Sequence, residues 1–149
     1  RALTMENAIN ELVNNTNKLL SDNFDAEIKL SMSVEDADKV EVELYKDGYS
    51  CAYTQLSKGQ RCLLKLCFGL SVMESISNHN GISTNTLFFD EALDGLDETL
   101  KVKAVNFFEK LATKHENVFL VEHNESLKAM INNKIVVELV NGASIINEK

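Results

Sequence analysis

Proline is missing from all 149 residues, and only three cysteines are present. Nothing in the sequence explains the first absence. Cys51, Cys62 and Cys67 fall in no CxxC spacing, and an odd count without a framework suits reduced thiols in a cytosolic protein. Cys62 and Cys67 sit in an apolar helical run and read as small packed hydrophobes. No apolar stretch approaches the ~20 residues that a membrane helix needs, so no membrane partner is expected. Positive charge is also short. Fifteen Lys and Arg stand against 23 Asp and Glu, for a net charge of −8. That excludes a basic footprint over the whole chain and leaves only a local patch for nucleic acid. The first residues carry no secretory pattern. The chain opens on Arg1 rather than Met, which reads as a fragment or one half of a larger protein.

What is present suits one domain with a real core: 44% hydrophobic and 26% charged residues. Residues 1 to about 22 read as a helix, with Ala2, Met5, Ile9, Leu12, Val13, Leu19 and Leu20 near helical spacing. That pattern fits either a packed helix or the last turns of a coiled coil. The period then switches to two in "AEIKLSM", "KVEVELY" and "DGYSCAYTQL", an antiparallel meander over about residues 25 to 55 with a turn at Asp47-Gly48. A mostly apolar helix follows from about 58 to 77, then the loop "NHNGIS". "NTLFF" and "NVFLVE" read as buried strands, and "DETLKVKAVNFFEKLATKH" as an amphipathic helix between them. "NESLKAMINN" reads as a short helix, and residues 134 to 149 as a hairpin turning at Asn141-Gly142. Alternation of helix and strand in the second half predicts parallel strands covered by helices.

Three stretches carry chemistry. In "LFFDE", Asp90 and Glu91 end a strand. Magnesium wants hard oxygen ligands and keeps several waters, so an Asp in that place suits the metal. An adjacent Glu, pointing to the other side of the chain, suits an attacking water. The plainer alternative is a strand end and a solvated acidic turn. In "LSKGQR", Ser57 is a good N-cap and Gly59 allows close backbone approach to a ligand; exposed helix N–H groups favour phosphate. A capped helix start with nothing bound is the commoner use of such a turn. In "VFLVEHN", His123 lies just past a strand, where a histidine can hydrogen-bond a phosphate oxygen or be merely structural.

In order, these stretches resemble the C-terminal lobe of an ABC-type ATPase head. "LSKGQ" looks like the signature motif, "LFFDE" like Walker B, "GLD" at 95 to 97 like the D-loop, and His123 like the H-loop histidine. A meander leading straight into the signature is similar to the long-coiled-coil ATPases: SMC proteins and, more closely, SbcC, the ATPase subunit of a double-strand-break repair exonuclease. The resemblance implies an α/β fold, the C-terminal half of a P-loop ABC ATPase head, with a mixed sheet, an antiparallel meander and a coiled-coil helix entering at the N-terminus. Residues 1–22 would be the coil end and 23–149 the lobe.

The resemblance also implies ATP and Mg2+ as cofactors and two heads sandwiching two ATP molecules. Ser57, Lys58, Gly59 and Gln60 would meet the nucleotide held by the other head. Asp90 would serve the metal, Glu91 would position water, Asp97 would work across the dimer, and His123 would sense the γ-phosphate. Asp94 reads as a solvated turn residue. The implied partners are a second head, a nuclease subunit and double-stranded DNA, in the cytoplasm of a bacterial or phage-infected cell, or in a nucleus. A phage recombination exonuclease is one such home; an SMC-like DNA tether is the alternative.

Lys58 replaces the usual first Gly of the signature, Ala92 stands where Pro commonly follows DE, and "EHN" replaces "SHD". No GxxxxGK[ST] occurs, and the resemblance implies that the Walker A lobe, with its amide cradle and lysine, would be a separate segment of the same protein.

Overall fold

In a computed structural model of the chain, residues 2–36 and 39–148 are described, without the side chains of 2–4, 36 and 148. The Ala2 side chain of the helical stripe thus lies outside the described residues. Helix α1 spans Ala2–Phe24. Thr16, Leu20 and Phe24, four residues apart, are buried, while Met5 and its neighbours are exposed. The apolar stripe therefore docks by its C-terminal half alone, and the N-terminal turns leave the domain surface.

Strands β1 (Ile28–Asp36), β2 (Lys39–Lys46) and β3 (Tyr49–Cys51) form the expected meander. Leu30 pairs with Leu44, and both are buried. Asn17 of α1 fixes the helix against the sheet edge: its side chain donates to the Leu30 carbonyl and accepts the Leu30 N–H, each at 2.8 Å. Asp47 and Gly48 both take positive φ, as a two-residue turn of the hairpin kind requires.

Helix α2 runs Lys58–Asn80 and buries Leu63, Leu64, Leu66, Cys67 and Leu70. It continues three residues beyond the expected 77, because the stop is Gly81, left-handed at φ 63° and bonded back to the Ser77 carbonyl. Strand β4 (Thr86–Asp90), helix α3 (Glu98–Ala112) and strand β5 (Asn117–Val121) follow. β4 and β5 are parallel, with Leu87 opposite Val118 and Asp90 opposite Val121. Helix α4 (Glu125–Met130) leads to the hairpin β6 (Ile135–Val140) and β7 (Ala143–Glu148).

The core joins α1, β1, β2, α2 and α3. Phe24 meets Phe107 edge-on at 5.3 Å, and Phe89 meets Phe108 at 4.8 Å. The expected burial of β4 and β5 holds on one face alone: Phe88 is 71% exposed and stacks on Phe119, ring centroids 4.8 Å apart, with Val121 exposed nearby. No described element covers that face. Ile135, Val137, Leu139 and Ile146 of the final hairpin are likewise exposed. The parallel pair and the two antiparallel sets do not join into one sheet among the described residues.

Candidate functional site

The helix start at the signature stretch is a closed capping box. Ser57 Oγ accepts the Gln60 N–H at 3.1 Å, and Gln60 Oε1 accepts the Ser57 N–H at 2.9 Å. Both polar side chains are thus spent on the helix terminus in this state. Gly59 is buried, and its missing side chain serves a close approach: a Cβ there would stand 3.0 Å from the Gly95 carbonyl oxygen. The approached backbone is that of the turn before α3, which the sequence likened to a D-loop. Lys58 completes the contact. Its ammonium lies 2.7 Å from the Asp94 carboxylate, and its stem lies over Gly95, which has φ 85°. Asp94 is exposed, as a turn residue should be, yet it is ion-paired; the Lys58 ammonium holds its carboxyl below the usual range. Asp97 caps α3, accepting the Leu100 N–H at 2.8 Å.

Asp90 is the last residue of β4, and Glu91 leaves the strand in the left-handed region, φ 48°. Such a backbone costs of order 1–2 kcal/mol for a residue with a Cβ. Two hydrogen bonds hold the turn: the Glu91 N–H donates to the Val121 carbonyl at 3.0 Å, and the Cys62 thiol donates to the Ala92 carbonyl at 2.8 Å. Cys62 is therefore more than a packed hydrophobe. Burial, aided by the Asp94 charge, pushes its thiol pKa up, which keeps it a donor.

The left-handed turn brings the Glu91 carboxylate to His123, just beyond the neighbouring parallel strand. His123 Nε2 is 2.8 Å from Glu91 Oε1, with both side chains exposed. The two groups expected to act on water and on phosphate thus meet each other. Backbone bonds fix the histidine's segment. Glu122 Oε1 accepts the N–H groups of His123 and Asn124 at 2.9 and 3.0 Å, while Glu122 Oε2 is buried without a donor. Asn124 caps α4 through the Ser126 and Leu127 N–H groups. A cavity of about 390 Å³ lies between the two loops, lined by Glu91, Asp94, Lys101, Glu122, His123 and Asn124.

The structure thus sets Lys58 and Gly59 against the turn at Asp94 and Gly95, with Ser57 and Gln60 closing the helix cap beside them, and Glu91 against His123. Asp90 stands at the strand end beside Glu91. No cluster of three or more His, Cys, Asp or Glu fit to hold a metal occurs among the described residues. Asp90 is a hard oxygen donor of the kind magnesium uses, but a single carboxylate fits the ion only when phosphates and waters supply the other ligands. Sequence reasoning missed Cys62, Glu122 and Lys101. Glu122 carried a readable signal, a carboxylate one residue from two N–H groups opening a helix; Cys62 and Lys101 act through contacts distant in sequence.

The parallel strand pair ends in Asp90 and Val121, with His123 two residues beyond, beside a capped helix packed on the turn before α3. The chain has the build of the C-terminal lobe of an SbcC/SMC-type ABC ATPase head. No protein-family model matches it. It is similar to the DNA double-strand break repair Rad50 ATPase of Thermococcus kodakarensis, 29% identical over 110 residues, covering 74% of this chain and 12% of that protein. It is also similar to the SbcC component of the nuclease SbcCD of Treponema pallidum, 27% identical over 90 residues, covering 60% of this chain and 9% of that protein. The lobe therefore spans a small part of either relative's length. Among solved structures, an SMC ATPase studied for ATP-driven dimerization and DNA-stimulated activation superposes with a TM-score of 0.76 at 13% identity, over 100% of the lobe and 89% of that chain. No helix of the lobe is long and apolar enough to cross a membrane among the described residues.

Proposed function

We propose that this lobe is the C-terminal half of an ATP-hydrolysing head in a DNA repair or recombination exonuclease. The supporting observation is the Glu91–His123 pair at 2.8 Å, set at the ends of adjacent parallel strands. A carboxylate that orients water and an imidazole that reads a phosphate need to stand together at one mouth. Asp90 would take its share of Mg2+, which would offset phosphate charge there. Ser57, Lys58, Gly59 and Gln60 would meet ATP bound by a second copy of the head, with Asp97 at the same dimer face.

The Walker A lobe of the same protein would complete each head. The uncovered Phe88–Phe119 face and the exposed hairpin favour such a partner, since large aromatic surface is costly in water. Double-stranded DNA and a nuclease subunit are the further partners. The sequence likeness to a double-strand break repair ATPase and to a nuclease subunit, at more than a quarter identity, favours this branch over a chromosome tether of the SMC type, to which the likeness is in fold.

The test is head dimerisation. The protein with both lobes, given magnesium and a non-hydrolysable ATP analogue, should double in mass by light scattering; Ser57→Arg should prevent it. A mass unchanged by nucleotide would contradict the reading.

A further inference from the structure

Lys101 is the one charged residue among the buried polar residues of the described chain, only 8% exposed. A lysine so placed gives up hydration and has to be repaid in hydrogen bonds. Its partners lie on two different elements. Nζ is 2.7 Å from Glu98 Oε1 in the first turn of α3 and 3.3 Å from Ser126 Oγ in the first turn of α4. The Ser126 hydroxyl in turn donates to Asn124 Oδ1 at 2.6 Å, and that same oxygen caps α4. The Asn124 N–H returns to Glu122 Oε1, which also holds the His123 N–H.

Lys101 donates both ways, to Glu98 and to Ser126, the Ser126 hydroxyl passes the donation on to Asn124 Oδ1, and Glu122 Oε1 collects the N–H groups of Asn124 and His123. The bonds therefore form one continuous chain from the residue after Asp97 to the backbone of His123. Glu98 directly follows Asp97, and the Lys101 N–H itself bonds the Asp97 carbonyl at 2.9 Å. A plain i,i+3 ion pair on α3 would need neither the burial nor Ser126.

We propose that Lys101 is a positioning residue that braces the His123 loop against the start of α3, so that the D-loop segment sets where the imidazole stands. The proposal rests on the ATPase reading for its consequence in hydrolysis, though the brace itself does not. Its logic is geometric. Asp97 begins the helix that would touch the second head, and His123 would touch the nucleotide. A continuous chain between them, anchored on the buried Lys101, lets engagement of one bias the other.

The experiment uses the protein carrying both lobes, as wild type, Lys101→Met, Lys101→Arg and Ser126→Ala. Met keeps the buried stem and removes the ammonium; Arg restores a donor; Ser126→Ala leaves Lys101 in place and serves if the Met variant fails to fold. Lys101→Met should lower kcat about tenfold with KM for ATP within about twofold, and Arg should recover most of it. The His123 ring resonances should move in the Met and Ala variants, while those of His79 and His115 stay.

Wild-type kcat in both Lys101→Met and Ser126→Ala would overturn the proposal, as would a loss that follows the folded fraction alone. If the wild type hydrolyses no ATP, the ATPase reading fails by itself. The resonances then still decide the brace: a displaced His123 signal upholds it, and an unmoved one ends it.

Discussion

The Lys58 ammonium lies 2.7 Å from the Asp94 carboxylate, and its stem covers Gly95. Lys58 thus locks the start of α2 to the turn before α3. The bridge is exposed on both sides, so its contribution to stability is small and screened by salt. Asp94→Asn should lower the melting temperature slightly in low salt and leave it unchanged near 1 M salt. The Asp94 pKa is lowered by Lys58, so the contribution is present above the ordinary carboxylate pKa and fades as pH falls through the lowered one. A thermal melt series in pH and salt reads both trends.

Gly95 has a stronger prediction. At φ 85°, a Cβ would stand 2.6 Å from Lys58 Cγ. Gly95→Ala should cost about 1–3 kcal/mol in denaturant unfolding, from backbone strain and the displaced Lys58 stem. Gly95→Ala combined with Lys58→Gly should recover the steric part only.

Cys67 is fully buried, and its thiol is pushed up to about 12. A group whose folded pKa exceeds its unfolded one favours folding while protonated. Stability should thus hold below about pH 9 and then fall by up to about 1.4 kcal/mol per pH unit as the unfolded thiol ionises. Cys67→Ala should flatten that alkaline slope in urea titrations. In native protein at pH 8, a thiol reagent should leave Cys67 unmodified until unfolding.

Phe88 and Phe119 stack on a face that nothing described covers. Phe88→Ser should change the stability of the chain little, because Phe88 is already exposed. Its association with the Walker A lobe should weaken by at least about tenfold, the worth of one large apolar side chain leaving an interface. Calorimetric titration of the two lobes measures it.

Much of this was legible in sequence because each signal was local. Asp47-Gly48 and Asn141-Gly142 specify their turns through positive φ, and Ser57 with Gln60 specifies a capping box within four residues. The order of "LSKGQ", "LFFDE", "GLD" and His123 pointed to the lobe type. The contacts that tune the site were not legible, since they depend on how distant segments pack. Cys62 reaches Ala92 across 30 residues, and Lys101 reaches Ser126 across 25. The apolar text of "NTLFF" and "NVFLVE" suggested buried strands. Hydrophobic residues report that a face needs covering, but not whether the same chain supplies the cover. The left-handed Glu91 was unreadable as well, because its strain is held by Val121 on the neighbouring strand.

In the proposed function, Glu91 orients the water that attacks ATP. The direct measurement is steady-state ATP hydrolysis by this lobe together with its own Walker A lobe and magnesium, beside Glu91→Gln. Turnover is expected from the pair, none from this lobe alone, and a loss of about 10²-fold or more in Glu91→Gln with nucleotide-dependent dimerisation retained. Equal turnover by wild type and Glu91→Gln would contradict it.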